Sequence, residues 1–140
     1  MYGELKKQEI IDRNQWLEEN NIKVKPTASG LYFIEERAGT GARVEHGDLV
    51  MAHYTGYLLD GQVFDSSVGA PEPFSFVAGR GEVIPGWDEA VLLMKVGGKA
   101  RIILPSELAY GESHPDIPIP PFATLIFDIE VIDVEKSKGK

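Results

Sequence analysis

The sequence predicts an α+β domain: an antiparallel β-sheet with one short helix, preceded by a second helix at the N-terminus. Three observations carry this. Residues 49–59, 99–104 and 123–134 are rich in apolar residues at strand length and are separated by Gly- and Pro-bearing turns. Residues 86–94 place Trp87, Val91 and Met94 on one side at helical spacing. The first twenty residues mix charges with Leu5, Ile10, Ile11, Trp16 and Leu17 and contain no turn signal until Asn20-Asn21. Strands alternating around one short helix define an antiparallel α+β architecture.

The elements follow in order. Residues 2–20 form a helix in which Tyr2, Leu5 and Trp16 share one side, Ile10 and Leu17 fall beside them, and Ile11 points away. A helix laid against its own domain, or a flexible arm, is favoured over a docking or dimerising helix. Residues 23–30, KVKPTASG, are a linker, and the domain boundary falls near residue 28. The expected division is thus an N-terminal extension at 1–28, a main domain at 29–135 and a frayed tail at 136–140. LYFI at 31–34 starts a strand, and AGTGAR after it is a turn; its glycines lack the spacing and the Lys-Ser/Thr pair of a phosphate loop. The strand at 49–59 runs into Asp60-Gly61, a hairpin signal, and Val63-Phe64 begins the return. Residues 65–71 form a loop or bulge, 74–77 a short strand and 79–81 a turn. Pro85 suits the first turn of the 86–94 helix, and Gly97-Gly98 ends it. In the last strand Leu125, Phe127, Ile129 and Val131 line one face.

A chain of 140 residues holds one domain with a sizeable core. Its apolar runs are far shorter than the roughly 20 residues of a membrane span. Residues 1–28 are neutral, so the whole net charge of −8 lies on 29–140, where 9 basic face 17 acidic side chains. That balance argues against nucleic-acid binding, which needs Lys and Arg against phosphate; it is read as a solubilising surface. With no cysteine there is no disulfide, thiol nucleophile or thiolate metal site. The opening MYGELKKQEI lacks the apolar core of a signal peptide, although a chain with its leader removed would look the same.

Reaction chemistry of the usual kinds has little support. His46, His53 and His114 are not at metal-ligand spacing, and His53, among apolar neighbours, reads as a core histidine bonded to backbone. No serine lies in a G-x-S-x-G elbow, and no acid–base pair of carboxylates is recognisable. No metal or cofactor is expected. What stands out is the stretch 50–87, with Tyr54, Phe64, Phe74, Phe76 and Trp87, joined by the Pro-rich loop at 114–121 and Phe127. Phe33 and Phe76 read as core. The remaining large aromatics exceed what a small core needs and suggest an apolar ligand pocket.

The motifs here are HYTG at 53–56, DG at 60–61, FDSS at 64–67, Phe74, EVI at 82–84, GW at 86–87, AYG at 109–111, IPP at 119–121, ATL at 123–125 and FD at 127–128. In this order and spacing the chain resembles the FKBP-type peptidyl-prolyl cis/trans isomerases, the macrolide-binding immunophilins, over about 29–134. The resemblance implies a twisted sheet wrapped around the short helix, with a substrate proline between them. It implies that Trp87 is the pocket floor, that Tyr54, Phe74, Val83, Ile84 and Phe127 are walls, and that Phe64 and Asp65 lie near the rotating amide. It places Tyr110 at the rim as a hydroxyl donor. It implies that the Ile84 N–H and the Glu82 carbonyl hydrogen-bond the bound chain, and that Ile119 contributes to binding. Tyr54, Asp65, Ile84 and Tyr110 are the expected catalytic set. The expected partners are proline-containing unfolded or partly folded polypeptides and macrolide inhibitors, with a homodimer through residues 2–20 as a further expectation. Family likeness favours a periplasmic or lipid-anchored fragment over a cytoplasmic one. The rival is a module that grips proline-containing or unfolded segments without turnover. Two departures from the family pattern bear on that rivalry: Ala70 and Pro71 stand where an Arg often pairs with the pocket Asp, and the tip loop has an early His114 and Pro118.

Overall fold

The computed structural model describes residues 2–111 and 119–137. Its elements are α1 (Tyr2–Glu19), β1 (Tyr32–Arg37), β2 (Leu49–Leu58), β3 (Val63–Ser66), β4 (Phe74–Val77), α2 (Pro85–Val91), β5 (Lys99–Leu104), a 3-10 turn at Ser106–Leu108, and β6 (Leu125–Glu135). The strands form one antiparallel sheet in the order β1-β5-β6-β2-β3. The free edge of β2 is shared: β4 pairs with its first half, from Leu49 to Ala52, and β3 with its second, from Thr55 to Tyr57. This split leaves His53 and Tyr54 outside both ladders, and Ser67 caps the edge there: its N–H donates to the Tyr54 carbonyl at 2.9 Å and its hydroxyl oxygen accepts from the Tyr54 N–H at 2.8 Å.

Period-two alternation sets the two faces. Val50, Ala52, Ala100, Ile102, Leu104, Leu125, Phe127, Ile129 and Val131 turn inward and bury against Trp87, Ala90 and Val91 of α2. Gly86 makes that packing possible: a Cβ there would stand 2.4 Å from a Leu104 methyl, so only glycine lets α2 lie this close. The helix is shorter than 86–94. It ends at Val91, and the N–H groups of Leu93 and Met94 bond three residues back, to Ala90 and Val91, as a tightened last turn. Trp87, Val91 and Met94 are nonetheless all buried.

The opposite face of the sheet carries α1. Leu17 packs on Ile103 and Ile126, with Trp16, Tyr32, Ile34 and Tyr57 around them. The helix therefore lies against its own domain, but its buried face is not the apolar stripe of the sequence. Ile10 and Ile11 are 50% and 56% exposed, while Glu9 is only 7% exposed. Beyond the helix, this face is polar: Arg101 forks onto Asp128 at 2.7 and 3.0 Å, and the Tyr57 hydroxyl donates to the same carboxylate.

The chain end is tied down as far as it is described. Asp48 is buried and accepts from Lys136 Nζ at 2.6 Å, from the Ser137 N–H at 2.9 Å and from the Glu45 N–H at 2.8 Å. Lys136 and Ser137 are thus anchored rather than frayed. No helix among the described residues is long and apolar enough to cross a membrane.

Candidate functional site

A cavity of about 490 Å³ opens between α2, the sheet and the loops at its end. Tyr54, Asp65, Phe74, Glu82, Val83, Ile84, Trp87, Tyr110 and Phe127 line it. The inward face of β2 supplies Tyr54, and β6 supplies Phe127. The first turn of α2 supplies Trp87, 3% exposed, at the bottom. Around the indole the rings stand edge-on: Tyr54 at 4.9 Å and 83°, Phe127 at 5.4 Å and 89°, Phe74 at 5.9 Å and 83°. Edge-to-face contacts at these distances are favourable and directional, so each ring holds its neighbours' angle. The Trp87 Nε1–H has no hydrogen-bond partner among the described residues.

Asp65 reaches the cavity through an irregularity in β3. Gly56 pairs with Asp65 but Tyr57 pairs with Val63, which leaves Phe64 in a bulge. Consecutive residues of a regular strand point to opposite faces; a bulge re-aims them. Phe64 accordingly packs on Phe127, centroids 5.5 Å apart, while Asp65 accepts a 2.8 Å hydrogen bond from the Tyr54 hydroxyl. Burial raises the Tyr54 phenol well above its ordinary range, and the Asp65 bond and charge add to this. Tyr110 is raised too, by burial and then by the charge of Asp65. Both phenols therefore stay protonated at neutral pH.

The third wall, 82–84, is fixed from below. Asp88, one residue after Trp87, accepts from the N–H of Gly79 at 2.8 Å and of Gly81 at 2.9 Å. The Glu82 side chain accepts from the Val77 N–H at 2.9 Å. Ile84 is the N-cap residue of α2 and its carbonyl takes the N–H of Trp87 at 3.0 Å. An N-cap residue gives the helix its carbonyl and not its N–H.

The cavity thus gathers most of the residues expected to bind. Two lie elsewhere. Phe64 stands behind Phe127, and Ile119 is buried within the main core cluster. His53 differs from its expected place: it is half-buried on the outward-facing side of β2, and its Nδ1 lies 3.1 Å from the Ser67 hydroxyl, not on backbone. Ala70 and Pro71 are exposed, and Asp65 has Tyr54 as its partner. His114 and Pro118 lie outside the described residues. The sequence reasoning gave no role to Asp88 and Glu9, and had Gly56 and Ser67 only as members of the HYTG and FDSS motifs. Of Asp88 and Glu9, only Asp88 had a signal, an acidic residue in a helix's first turn seven to nine positions after the glycine turn at 79–81.

Fold and site together define an α+β domain in which a short helix closes an aromatic cavity on an antiparallel sheet. Residues 41–132 match the family model for FKBP-type peptidyl-prolyl cis-trans isomerase. The FKBP-type 22 kDa peptidyl-prolyl cis-trans isomerase of Escherichia coli (strain K12) is 48% identical over 122 residues, which cover 86% of this chain and 58% of the relative. The FKBP-type peptidyl-prolyl cis-trans isomerase FkpA of Aeromonas hydrophila is 51% identical over 113 residues, covering 81% and 41%. Among solved structures, FkpA from Escherichia coli superposes with a TM-score of 0.79 at 36% identity, covering 97% of this chain and 65% of the other. AtFKBP13 gives 0.73 at 39% identity, covering 79% and 98%. The chain belongs to the FKBP-type peptidyl-prolyl cis-trans isomerase family. It spans about half the length of the curated relatives it matches.

Proposed function

We propose that this chain accelerates cis/trans rotation of X–Pro bonds in unfolded or partly folded polypeptides. The observation that carries the reading is the cavity floored by Trp87 and walled by Tyr54, Phe74 and Phe127, with the carboxylate of Asp65 held by the Tyr54 hydroxyl. Rotation about a prolyl amide must cross roughly 18–20 kcal/mol because the planar form is resonance-stabilised, and uncatalysed exchange takes on the order of 10–100 s. The twisted amide has lost that resonance and is less polar at its oxygen. A dry aromatic cavity favours it over the hydrated planar ground state, which is differential binding of the transition state. The proline ring rests on Trp87; the N–H of Ile84 and the carbonyl of Glu82 align the chain; Asp65 and Tyr54 face the rotating amide, with Tyr110 at the rim. No nucleophile, metal or proton transfer enters this scheme.

The same cavity is the proposed site for macrolide inhibitors. The test is a protease-coupled isomerisation assay on an X–Pro tetrapeptide, with and without a macrolide. Macrolide-sensitive acceleration supports both proposals. Acceleration that the macrolide leaves unchanged retains the enzyme and rejects the macrolide site. No acceleration from folded protein rejects the enzyme in favour of a proline-binding module. Self-association through α1 is a separate proposal, supported by the exposure of Ile10 and Ile11. Sedimentation of the wild type against an Ile10→Ser/Ile11→Ser variant tests it.

A further inference from the structure

A helix that lay on the sheet merely to cover Ile103 and Ile126 would bury apolar side chains. Besides Leu17, α1 buries a carboxylate. Glu9 Oε2 accepts from the Ser106 N–H at 2.7 Å and from the Thr124 hydroxyl at 3.0 Å, and Oε1 accepts from the Ser106 hydroxyl at 2.7 Å. Arg13, one turn on, donates to Glu9 and to Thr124, each at 3.1 Å. Ser106 and Thr124 are both almost fully buried. A carboxylate is withdrawn from water only where its lone pairs are met this fully.

Ser106 and Thr124 sit on the two stems of one loop. The first stem leads to Tyr110 at the cavity. The Ser106 carbonyl accepts from the N–H groups of Ala109 at 3.0 Å and Gly111 at 2.9 Å, so it brackets Tyr110 from both sides. The second stem is joined to the first by the Phe122 N–H, which donates to the Gly111 carbonyl at 2.7 Å. Phe122 holds φ at +53°, a left-handed conformation that a bulky residue adopts only under restraint. Lys6 of α1 lies over its ring, 5.4 Å from the centroid. Two side chains of α1, a turn apart, therefore grip both stems of the loop that carries Tyr110.

We propose that α1 is a positioning element of the cavity and that Glu9 is the residue through which it acts, by joining Ser106 to Thr124. The kinetic part of this rests on the isomerase reading; the structural part does not. The test uses the full chain with Glu9→Gln, which keeps the shape but sets an amide donor against donors, and with Leu17→Ala, which loosens the far end of α1 and leaves the Glu9 bonds alone. Hydrogen exchange is read at the amides of Ser106, Ala109, Gly111 and Phe122. Glu9→Gln is expected to speed exchange there by about tenfold, the loss of a hydrogen bond to a charged acceptor. It is also expected to raise KM for a proline tetrapeptide several-fold with kcat little changed. Leu17→Ala is expected to lower the melting temperature and move neither readout. Wild-type exchange at the four amides in Glu9→Gln overturns the proposal, and so does an equal effect from Leu17→Ala. If Glu9→Gln does not fold, Ser106→Ala, which removes one donor from the loop side, must give the same local exchange, and its failure to do so overturns it equally. If the wild type shows no isomerisation, the isomerase reading fails by itself and the exchange rates alone decide the role of Glu9.

Discussion

The Tyr54 hydroxyl donates to Asp65 Oδ2 across 2.8 Å, joining the inward face of β2 to the bulged strand β3 at the wall of the cavity. Each residue depends on the other. The bond turns the Asp65 carboxylate toward the aromatic rings, and the carboxylate helps keep the phenol protonated.

Asp65→Asn removes the charge and keeps the shape. It is expected to lower kcat/KM roughly tenfold, the scale of one charge-assisted hydrogen bond, with a smaller effect on folding. Tyr54→Phe is expected to give a similar loss. Unchanged kcat/KM with a lowered melting temperature, in a steady-state assay paired with a thermal melt, makes Asp65 structural.

Trp87→Ala removes the floor. It is expected to cost about 3–5 kcal/mol of stability, because four neighbouring rings cannot collapse into the space. Macrolide binding is expected to be lost. A titration of the folded variant by calorimetry that returned near-wild-type affinity would place the ligand elsewhere.

Gly56→Ala tests the packing behind the wall. A Cβ at this position would stand 2.6 Å from the Phe64 ring and 2.8 Å from the Phe127 ring. One methyl must therefore push Phe127 toward the cavity, at about 1–3 kcal/mol of strain. Urea unfolding is expected to show that loss, and KM for a proline peptide is expected to rise.

Asp48 sets an acid limit on stability. Burial pushes its carboxyl up, but hydrogen bonds from Lys136 and from the N–H groups of Ser137 and Glu45 outweigh this and hold it below its ordinary 3.8. A carboxyl lowered in the folded state binds protons more readily unfolded, so its contribution is complete well above that value and is lost as pH falls below it. Melting temperatures across the acid range are expected to drop more steeply for the wild type than for Asp48→Asn. The variant is expected to be weaker at neutral pH by about 1–3 kcal/mol, since three donors lose a charged acceptor. Parallel curves for the two proteins exclude Asp48 from the acid transition.

The strands and the short helix were legible because their signals are local. Lys99–Leu104 alternates outside and inside, and Leu125, Phe127, Ile129 and Val131 all face the core, as period two requires. The ring set around Trp87 was legible because aromatic residues in excess of a small core are visible in composition alone. Where the reading slipped, the deciding contact was remote. Ile10 falls beside the apolar side of the N-terminal helix in sequence, yet it is exposed and the neighbouring Glu9 is buried, because the Ser106 and Thr124 donors that meet its carboxylate lie 97 and 115 residues away. His53 looked like core because its chain neighbours are apolar, but strand alternation puts it on the opposite face from Tyr54.

By itself the sequence determined the class of fold, the order of its elements and the aromatic character of the cavity, since periodicity, turn residues and composition act over a few positions of chain. The tertiary structure alone decided which carboxylates do which work: Asp65 on Tyr54, Asp88 under the 79–81 turn, Asp48 on the chain end, Glu9 between the stems of the loop. A carboxylate reads the same everywhere in a sequence, because its role is set by the donors that folding brings to it and by the water that folding takes away.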